Sequence, residues 1–144
     1  MITAWGCAVR LPVVLMLLLL TGCVPESKTS RELEGLGEQI VDHWEARQEV
    51  ADADYEYSQG LAPDDYHLRL EVTLKAEAVT DQVVDEIVEI GERDCWLGPW
   101  DTYYPTYVVR RTDGTEIRSG TFHLRPEMEQ KWGPRTPQVI PTSR

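Results

Sequence analysis

The chain has 144 residues, of which 25 are acidic and 14 are lysine or arginine, so its formal net charge is −11. This length fits one domain. A charge this negative argues against nucleic acid, whose phosphates would be repelled, and against a domain lying flat on an anionic lipid surface.

The N-terminal segment is a short apolar run closed by small residues and a cysteine. Residues Val13–Leu20 are all apolar, follow Arg10, and are closed by Thr21, Gly22 and Cys23. A spanning helix needs about 20 apolar residues, so this run is too short to cross a bilayer. It has the length of the apolar region of a signal peptide.

The segment resembles the lipobox of bacterial lipoproteins, with Leu20 first, Thr21 and Gly22 as the small residues and Cys23 as the acceptor. The resemblance implies that residues 1–22 are a signal peptide cleaved after Gly22. It also implies a diacylglycerol thioether on Cys23, often with a further acyl chain such as palmitate on the new amine. The protein would then be anchored on the extracytoplasmic face of the cell membrane, or in an outer membrane. The alternative is a plain secretory signal that leaves Cys23 as a free or disulfide-forming thiol.

The remaining cysteines restrict the chemistry of the mature chain. Cleavage after Gly22 would remove one arginine and no acidic residue, which leaves a net charge of −12. Cys7 would leave with the signal and Cys23 would be acylated, so Cys95 would have no disulfide partner within the chain. Cys95 precedes Trp96–Leu97 at a predicted helix end, which indicates a buried small side chain rather than a reactive thiol.

The first half of the mature chain predicts a tether, a helix and a strand. Residues 23–29 are polar and aperiodic, which predicts a flexible tether. Residues 30–49 predict a helix with Ser30 as its N-cap, because apolar residues recur there at helical spacing. These are Leu33, Leu36, Ile40, Val41 and Trp44. Small or aromatic residues alternate with polar ones over 51–58, which predicts a strand.

The clearest strand begins near His67, where every second residue is apolar. These residues are Leu68, Leu70, Val72, Leu74 and Ala76. Clean alternation indicates one buried and one solvated face, as in an antiparallel sheet. We expect pairing with the preceding strand, whose acidic outer face would lie opposite a more basic one. Thr80 then predicts the N-cap of a second helix, whose apolar stripe is Val83, Val84, Ile87 and Val88.

Residues 102–111 and 115–124 predict two further strands. Asp113-Gly114 between them is typical of a two-residue type I′ hairpin turn, in which Arg111 would face Glu116. The alternation slips near Gly120, which predicts a bulge there.

The element order is therefore α-β-β-α-β-β over residues 30–124. We predict an α+β fold, a two-layer sandwich with two helices on one face of a four-stranded antiparallel sheet. In outline this is similar to small, uncharacterised actinobacterial lipoproteins, a likeness that implies no site residues. Residues 125–144 contain four prolines and predict a disordered tail.

The titratable residues predict neither a metal site nor a cofactor site. His43, His67 and His123 have no second ligand at helical or hairpin spacing, so we expect exposed side chains rather than zinc ligands. The acidic face of the second helix predicts solvation rather than metal binding; it consists of Asp81, Asp85, Glu89 and Glu92. A hydrolytic pair of His67 with an acidic partner such as Asp65 is the catalytic alternative.

One aromatic cluster is a possible ligand surface. It consists of Trp96, Trp100, Tyr103, Tyr104 and Tyr107. Flat aromatic surfaces stack on sugars or anchor protein partners, although core packing competes as an interpretation. We therefore expect a non-enzymatic envelope lipoprotein that binds another envelope protein or a glycan. The alternatives are an envelope hydrolase using His67 and a structural spacer whose basic tail makes the contact.

Overall fold

A computed structural model of the chain describes residues 28–62, 65–98 and 105–135. These residues form an α+β fold with one open four-stranded sheet and three α-helices, which confirms the predicted class. The elements are α1 (Lys28–Glu45), β1 (Val50–Gln59), β2 (Tyr66–Leu74), α2 (Asp81–Leu97), β3 (Thr106–Arg111), β4 (Glu116–Thr121) and α3 (Met128–Trp132). A 3-10 turn, Ala76–Ala78, precedes α2. Within the described ranges, no helix is long and apolar enough to cross a membrane.

The sheet is mixed, so the prediction of a purely antiparallel sheet is wrong at its centre. The strand order is β1-β2-β3-β4; β1 pairs with β2 and β3 with β4 antiparallel, but β2 and β3 run parallel. The cause is the connection: α2 carries the chain back to the end of the sheet where β2 began. Parallel neighbours need such a crossover, usually a helix. The predicted element order also lacks α3, which follows β4.

The first helix covers a different range from the predicted one. It begins at Lys28, within the predicted tether, and ends at Glu45. Ser30 is not its N-cap: the residue lies inside the helix, is 7% exposed, and its hydroxyl is 2.8 Å from the Tyr57 hydroxyl. The predicted apolar stripe is otherwise confirmed by burial of Leu33, Leu36, Ile40 and Trp44. The tether up to residue 27 lies outside the described residues.

The second helix begins as predicted. Thr80 is its N-cap, and the Thr80 hydroxyl accepts a hydrogen bond from the Val83 amide at 3.2 Å. Both helices pack on the same core. A hydrogen bond also joins them, since the Trp44 indole of α1 donates to the Ile87 carbonyl of α2 at 2.8 Å. Val84 and Ile87 are buried beneath that contact.

The β1–β2 register agrees with the charge pattern at one position. Glu56 lies opposite Arg69, as predicted, and Tyr55 lies opposite Leu70. A register shift between Val50 and Asp52 lies at the start of β1. Of the predicted inner face of β2, Leu68, Leu70, Val72 and Leu74 are buried, whereas Ala76 lies in the exposed 3-10 turn.

The β3–β4 hairpin differs from the predicted type I′ turn. The Gly114 amide donates to the Arg111 carbonyl at 2.8 Å, and Gly114 has a φ of 85°. This places three residues, 112–114, in the loop, with glycine in the left-handed conformation that closes such a hairpin. The extra residue shifts the pairing, so Arg110 rather than Arg111 lies opposite Glu116.

Gly120 is not at a bulge, because the register shift lies beside Arg110. Gly120 instead lies opposite Tyr107, and a Cβ there would be 2.9 Å from the Tyr107 hydroxyl oxygen. The absence of a side chain at Gly120 therefore leaves room for the Tyr107 ring on the neighbouring strand.

The disorder predicted for 125–144 is wrong for residues 125–135. This segment contains α3, whose Met128 is buried. The Gly133 carbonyl accepts a hydrogen bond from the Trp96 indole at 3.0 Å, and Lys131 pairs with Glu89 at 2.8 Å. Tertiary contacts thus outweigh the proline-rich composition. Residues 136–144 lie outside the described residues.

Gly91 sets how closely α2 approaches its neighbours. A Cβ at this position would lie 2.5 Å from Phe122 Cζ and 3.1 Å from Trp44 Cζ2. Both rings are buried, so neither can swing into solvent. The missing side chain therefore lets α1, α2 and the segment after β4 share one core.

Gly91→Ala should lower the free energy of unfolding by about 1–2 kcal/mol, because overpacking outweighs the helix-propensity gain of about 1 kcal/mol. Urea denaturation followed by tryptophan fluorescence measures the change. The pair Gly91→Ala/Phe122→Leu should lose less than the sum of the single variants, since the smaller side chain makes room. A Gly91→Ala protein more stable than the parent would contradict this packing.

Candidate functional site

Several predicted site residues lie outside the described ranges. Gly22, Cys23, Trp100, Tyr103 and Tyr104 belong to this group, so lipidation and three of the five aromatic positions stay predictions.

The other two predicted aromatic residues pack into the domain. Trp96 is 7% exposed; its indole donates to the Gly133 carbonyl, and its own carbonyl accepts from Arg135 Nε at 3.2 Å. Tyr107 is partly buried and stacks on Phe122 with ring centroids 4.6 Å apart. At these two positions, core packing describes the aromatic cluster better than ligand binding does.

The predicted His67–Asp65 pair does form. His67 Nε2 lies 2.7 Å from Asp65 Oδ1, at the start of β2. The side chains are 62% and 44% exposed, so water surrounds both. A catalytic acid–base pair gains its strength in a water-excluded site, which this open surface does not provide.

A second histidine–carboxylate pair, missed by the sequence reasoning, joins the two long helices. His43 Nδ1 on α1 lies 2.5 Å from Asp94 Oδ2 on α2. Asp94 is 2% exposed, whereas the His43 side chain is 45% exposed. Arg93 lies 3.4 Å from the other carboxylate oxygen. The buried Asp94 carboxyl group thus contacts two side chains that reach solvent.

His43 is exposed, as predicted, but the sequence reasoning missed its carboxylate partner Asp94. The sequence spacing could have predicted that Asp94 is buried. Ile87, Gly91 and Asp94 follow one another at i, i+4 and i+7, which places Asp94 on the buried stripe of α2. A buried carboxylate requires a partner. A carboxylate on Nδ1 orients an imidazole and leaves Nε2 for proton exchange, an arrangement that can serve catalysis or simply tie two helices together.

A groove lies where α2 meets α3 and the residues after α1. Its volume is about 300 Å³, at the lower end of the range for ligand sites. The lining consists of Arg47, Glu86, Glu89, Ile90, Arg93 and Trp132. Two arginines and two glutamates make the lining neutral, in contrast to the strongly acidic chain.

Ion pairs hold the charged walls of this groove. Arg47 contacts Glu86 at 2.5 Å and Glu49 at 3.2 Å. The hydrogen bond to Glu86 raises the pKa of Arg47, although burial opposes it. Hydrogen bonds from Gln82 and then Arg47 lower the pKa of Glu86. Both groups are therefore ionised at neutral pH and already paired, so the groove offers little net charge to a ligand.

Trp132 lines the groove and carries an unused hydrogen-bond donor. Its Nε1 is buried and donates to none of the residues that the structure describes. A buried donor without an acceptor costs about 1–3 kcal/mol, so an acceptor at this point would be stabilising. Lys131 Nζ lies 4.6 Å from the centroid of the Trp132 ring and also pairs with Glu89, which holds the indole in place.

A second hollow, of about 250 Å³, lies on the outer face of β1 and β2. Asp52, Asp54 and Glu56 line it from β1, and Glu71 from β2 is held by Arg110 Nε at 2.7 Å. Because β1 is an edge strand, charges along it oppose pairing with another chain. Protection of the β1 edge against pairing with another chain therefore accounts for the acidic residues along this strand.

Metal binding and thiol chemistry have no support in the described residues. No group of three histidine, cysteine or acidic side chains within them could hold a metal ion. The acidic face of α2 is instead paired: Asp85 with Arg118 at 2.5 Å and Glu89 with Lys131. Cys95 is 2% exposed, as predicted, and burial, together with the neighbouring Asp94, raises the pKa of its thiol far above the usual range.

Comparisons with family models, curated proteins and solved structures found no match to this chain.

Asp94→Ala should lower the free energy of unfolding by about 1–3 kcal/mol, because it removes charge-assisted hydrogen bonds between α1 and α2. Urea denaturation monitored by fluorescence measures this loss. Asp42→Ala is the matched control, since Asp42 is exposed beside His43; its effect should stay within about 0.5 kcal/mol. Equal stability of the Asp94→Ala and parent proteins would show that the pair does not hold the helices.

Proposed function

We propose that this chain is a lipid-anchored cell-envelope lipoprotein with a non-enzymatic binding domain. The observation that carries the anchoring half is the lipobox ending at Cys23. Because α1 begins at Lys28, four residues would separate the first helix of the domain from the anchored cysteine. Two or three acyl chains would hold the protein stably, since each buried CH₂ adds about 0.8 kcal/mol.

We infer that the neutral groove around Trp132 is the binding surface. The observation that carries this half is the buried Trp132 Nε1, which lacks an acceptor among the described residues. Ile90 adds an apolar wall, and the paired charges around it favour a ligand without strong net charge. An envelope glycan, rich in hydroxyl acceptors and uncharged stretches, matches these features better than a highly charged partner does.

Cys23→Ala should abolish lipidation and move the protein from the membrane fraction to the soluble fraction. Metabolic labelling with an alkyne fatty acid, followed by fractionation, measures both effects. Cys95→Ala is the control and should keep full labelling, because Cys95 is buried and plays no part in acylation. Persistent labelling of the Cys23→Ala protein would refute the anchor.

Trp132→Phe should weaken glycan binding about fivefold, because it removes one hydrogen bond worth about 1 kcal/mol while keeping an aromatic ring. Trp132→Ala should weaken it further. The measurement is cosedimentation of the detergent-solubilised protein with purified cell-wall glycan. Asp54→Ala, on the far side of the sheet, is the control and should bind like the parent.

Unfolding curves of the Trp132 variants separate lost binding from lost folding. If folded Trp132 variants bind as the parent does, the groove is not the glycan site. If the parent itself does not sediment with glycan, while crosslinking in intact cells recovers a protein, the partner is an envelope protein instead. Recovery of neither supports the spacer hypothesis.

An envelope hydrolase using His67 is the second candidate. The observation in its favour is the 2.7 Å contact between His67 and Asp65. It ranks below the binding domain because both side chains are open to water.

A further inference from the structure

The β1–β2 loop presents an apolar side chain to solvent. Leu61 is fully exposed, and within the described ranges it is the one large hydrophobic side chain in that position. Isolated apolar side chains are common on protein surfaces, so exposure alone carries no function. The position of Leu61 relative to the start of the domain is what suggests a function for this side chain.

Leu61 lies at the end of the domain where α1 begins. The Ser30 hydroxyl in the first turns of α1 is 2.8 Å from the Tyr57 hydroxyl near the end of β1. Gln59, the last residue of β1, lies opposite Tyr66, the first residue of β2. We call this region the anchor end; it consists of Ser30, Tyr57, Gln59, Leu61 and Tyr66.

The connection to Cys23 is too short to let the anchor end move far from the membrane. Five residue steps separate Cys23 from Lys28, which span at most about 18 Å when fully extended. The 18 residues of α1 extend about 27 Å along the helix axis, which is more than that reach. On the proposed lipid anchor, the anchor end is therefore the end that faces the bilayer.

We propose that Leu61 is a second, non-covalent membrane contact, a step that rests on the proposed lipid anchor at Cys23. Its side chain enters the boundary between headgroups and acyl chains, flanked by the uncharged Gly60 and Ala62. The anchor already confines the domain to the surface, so little further freedom is lost when the loop docks. The carboxylate of Asp65 is paired with His67, which reduces the charge brought to the interface.

This contact orients the domain. Arg47, which lines the groove, follows the far end of α1, some 17 residues of chain beyond Ser30. With the anchor end on the lipid, that part of the groove lies up to about 25 Å from the bilayer, given the 1.5 Å rise of a helix. The covalent anchor alone keeps the anchor end near the bilayer but leaves the domain free to tilt, whereas two contacts fix the tilt and present the groove away from the membrane.

The test uses the full, lipidated chain in phosphatidylcholine vesicles that contain headgroup spin-labelled lipid. A cysteine introduced at Gln59 or, in a separate protein, at Thr112 carries a fluorescent dye; both positions are exposed. Thr112 lies in the β3–β4 hairpin, at the opposite end of the domain. Cys95 is buried and does not react, so the dye attaches to the introduced thiol.

Spin-labelled lipid should quench the dye at Gln59→Cys severalfold more than the dye at Thr112→Cys. Adding Leu61→Asp to the Gln59→Cys protein should lower that quenching at least twofold, although it should stay above the Thr112→Cys level because the lipid anchor still holds this end near the bilayer. Leu61→Asp leaves the fold intact, which circular dichroism verifies.

Two outcomes overturn the inference, and they are distinguishable. In the first, the chain cosediments with vesicles, but both dyes are quenched equally or Leu61→Asp does not change the quenching. The lipid anchor is then supported and the Leu61 contact is refuted. If mass spectrometry finds no acyl chain on Cys23 and the protein stays in solution, the proposed anchor fails, and the Leu61 contact falls with it.

Discussion

The close packing of α2 against α1 and against Phe122, the residue after β4, is the constraint on which the rest of the domain depends. Trp44 from α1 donates to the Ile87 carbonyl, Gly91 leaves room for the rings of Trp44 and Phe122, and His43 reaches Asp94. With Cys95 buried as a free thiol, the described core is held by packing and hydrogen bonds. This helix also makes β2 and β3 parallel, because it returns the chain to the end where β2 began.

The same arrangement separates two surfaces with different chemistry. The outer face of the edge strand β1 carries Asp52, Asp54 and Glu56, which discourage pairing with another chain. The groove beside α3 has paired charges, an apolar wall and an unused indole donor on Trp132.

Local signals predicted the elements well, and long-range pairing decided what they missed. Thr80 caps α2 because its hydroxyl acts on an amide three residues away, an interaction that sequence spacing specifies. The parallel β2–β3 pair, the 51-residue separation of His43 from Asp94, and the burial of Met128 in α3 depend on contacts between distant segments. Proline content led to the wrong prediction for residues 125–135, because composition reflects only local preference. It carries no information about the contact that Trp96 makes with this segment.

The sequence by itself determined the α+β class, the buried faces of α1 and β2, and the buried state of Cys95, and it contains the short motif ending at Cys23 that motivates the proposed anchor. These follow from periodicity and short motifs, whose physical causes act within a few residues. Only the tertiary structure decided the mixed sheet, the Asp94–His43 pair, the groove at Trp132 and the place of Leu61 beside the start of α1. Each of these depends on which distant segments the crossover helix brings into contact.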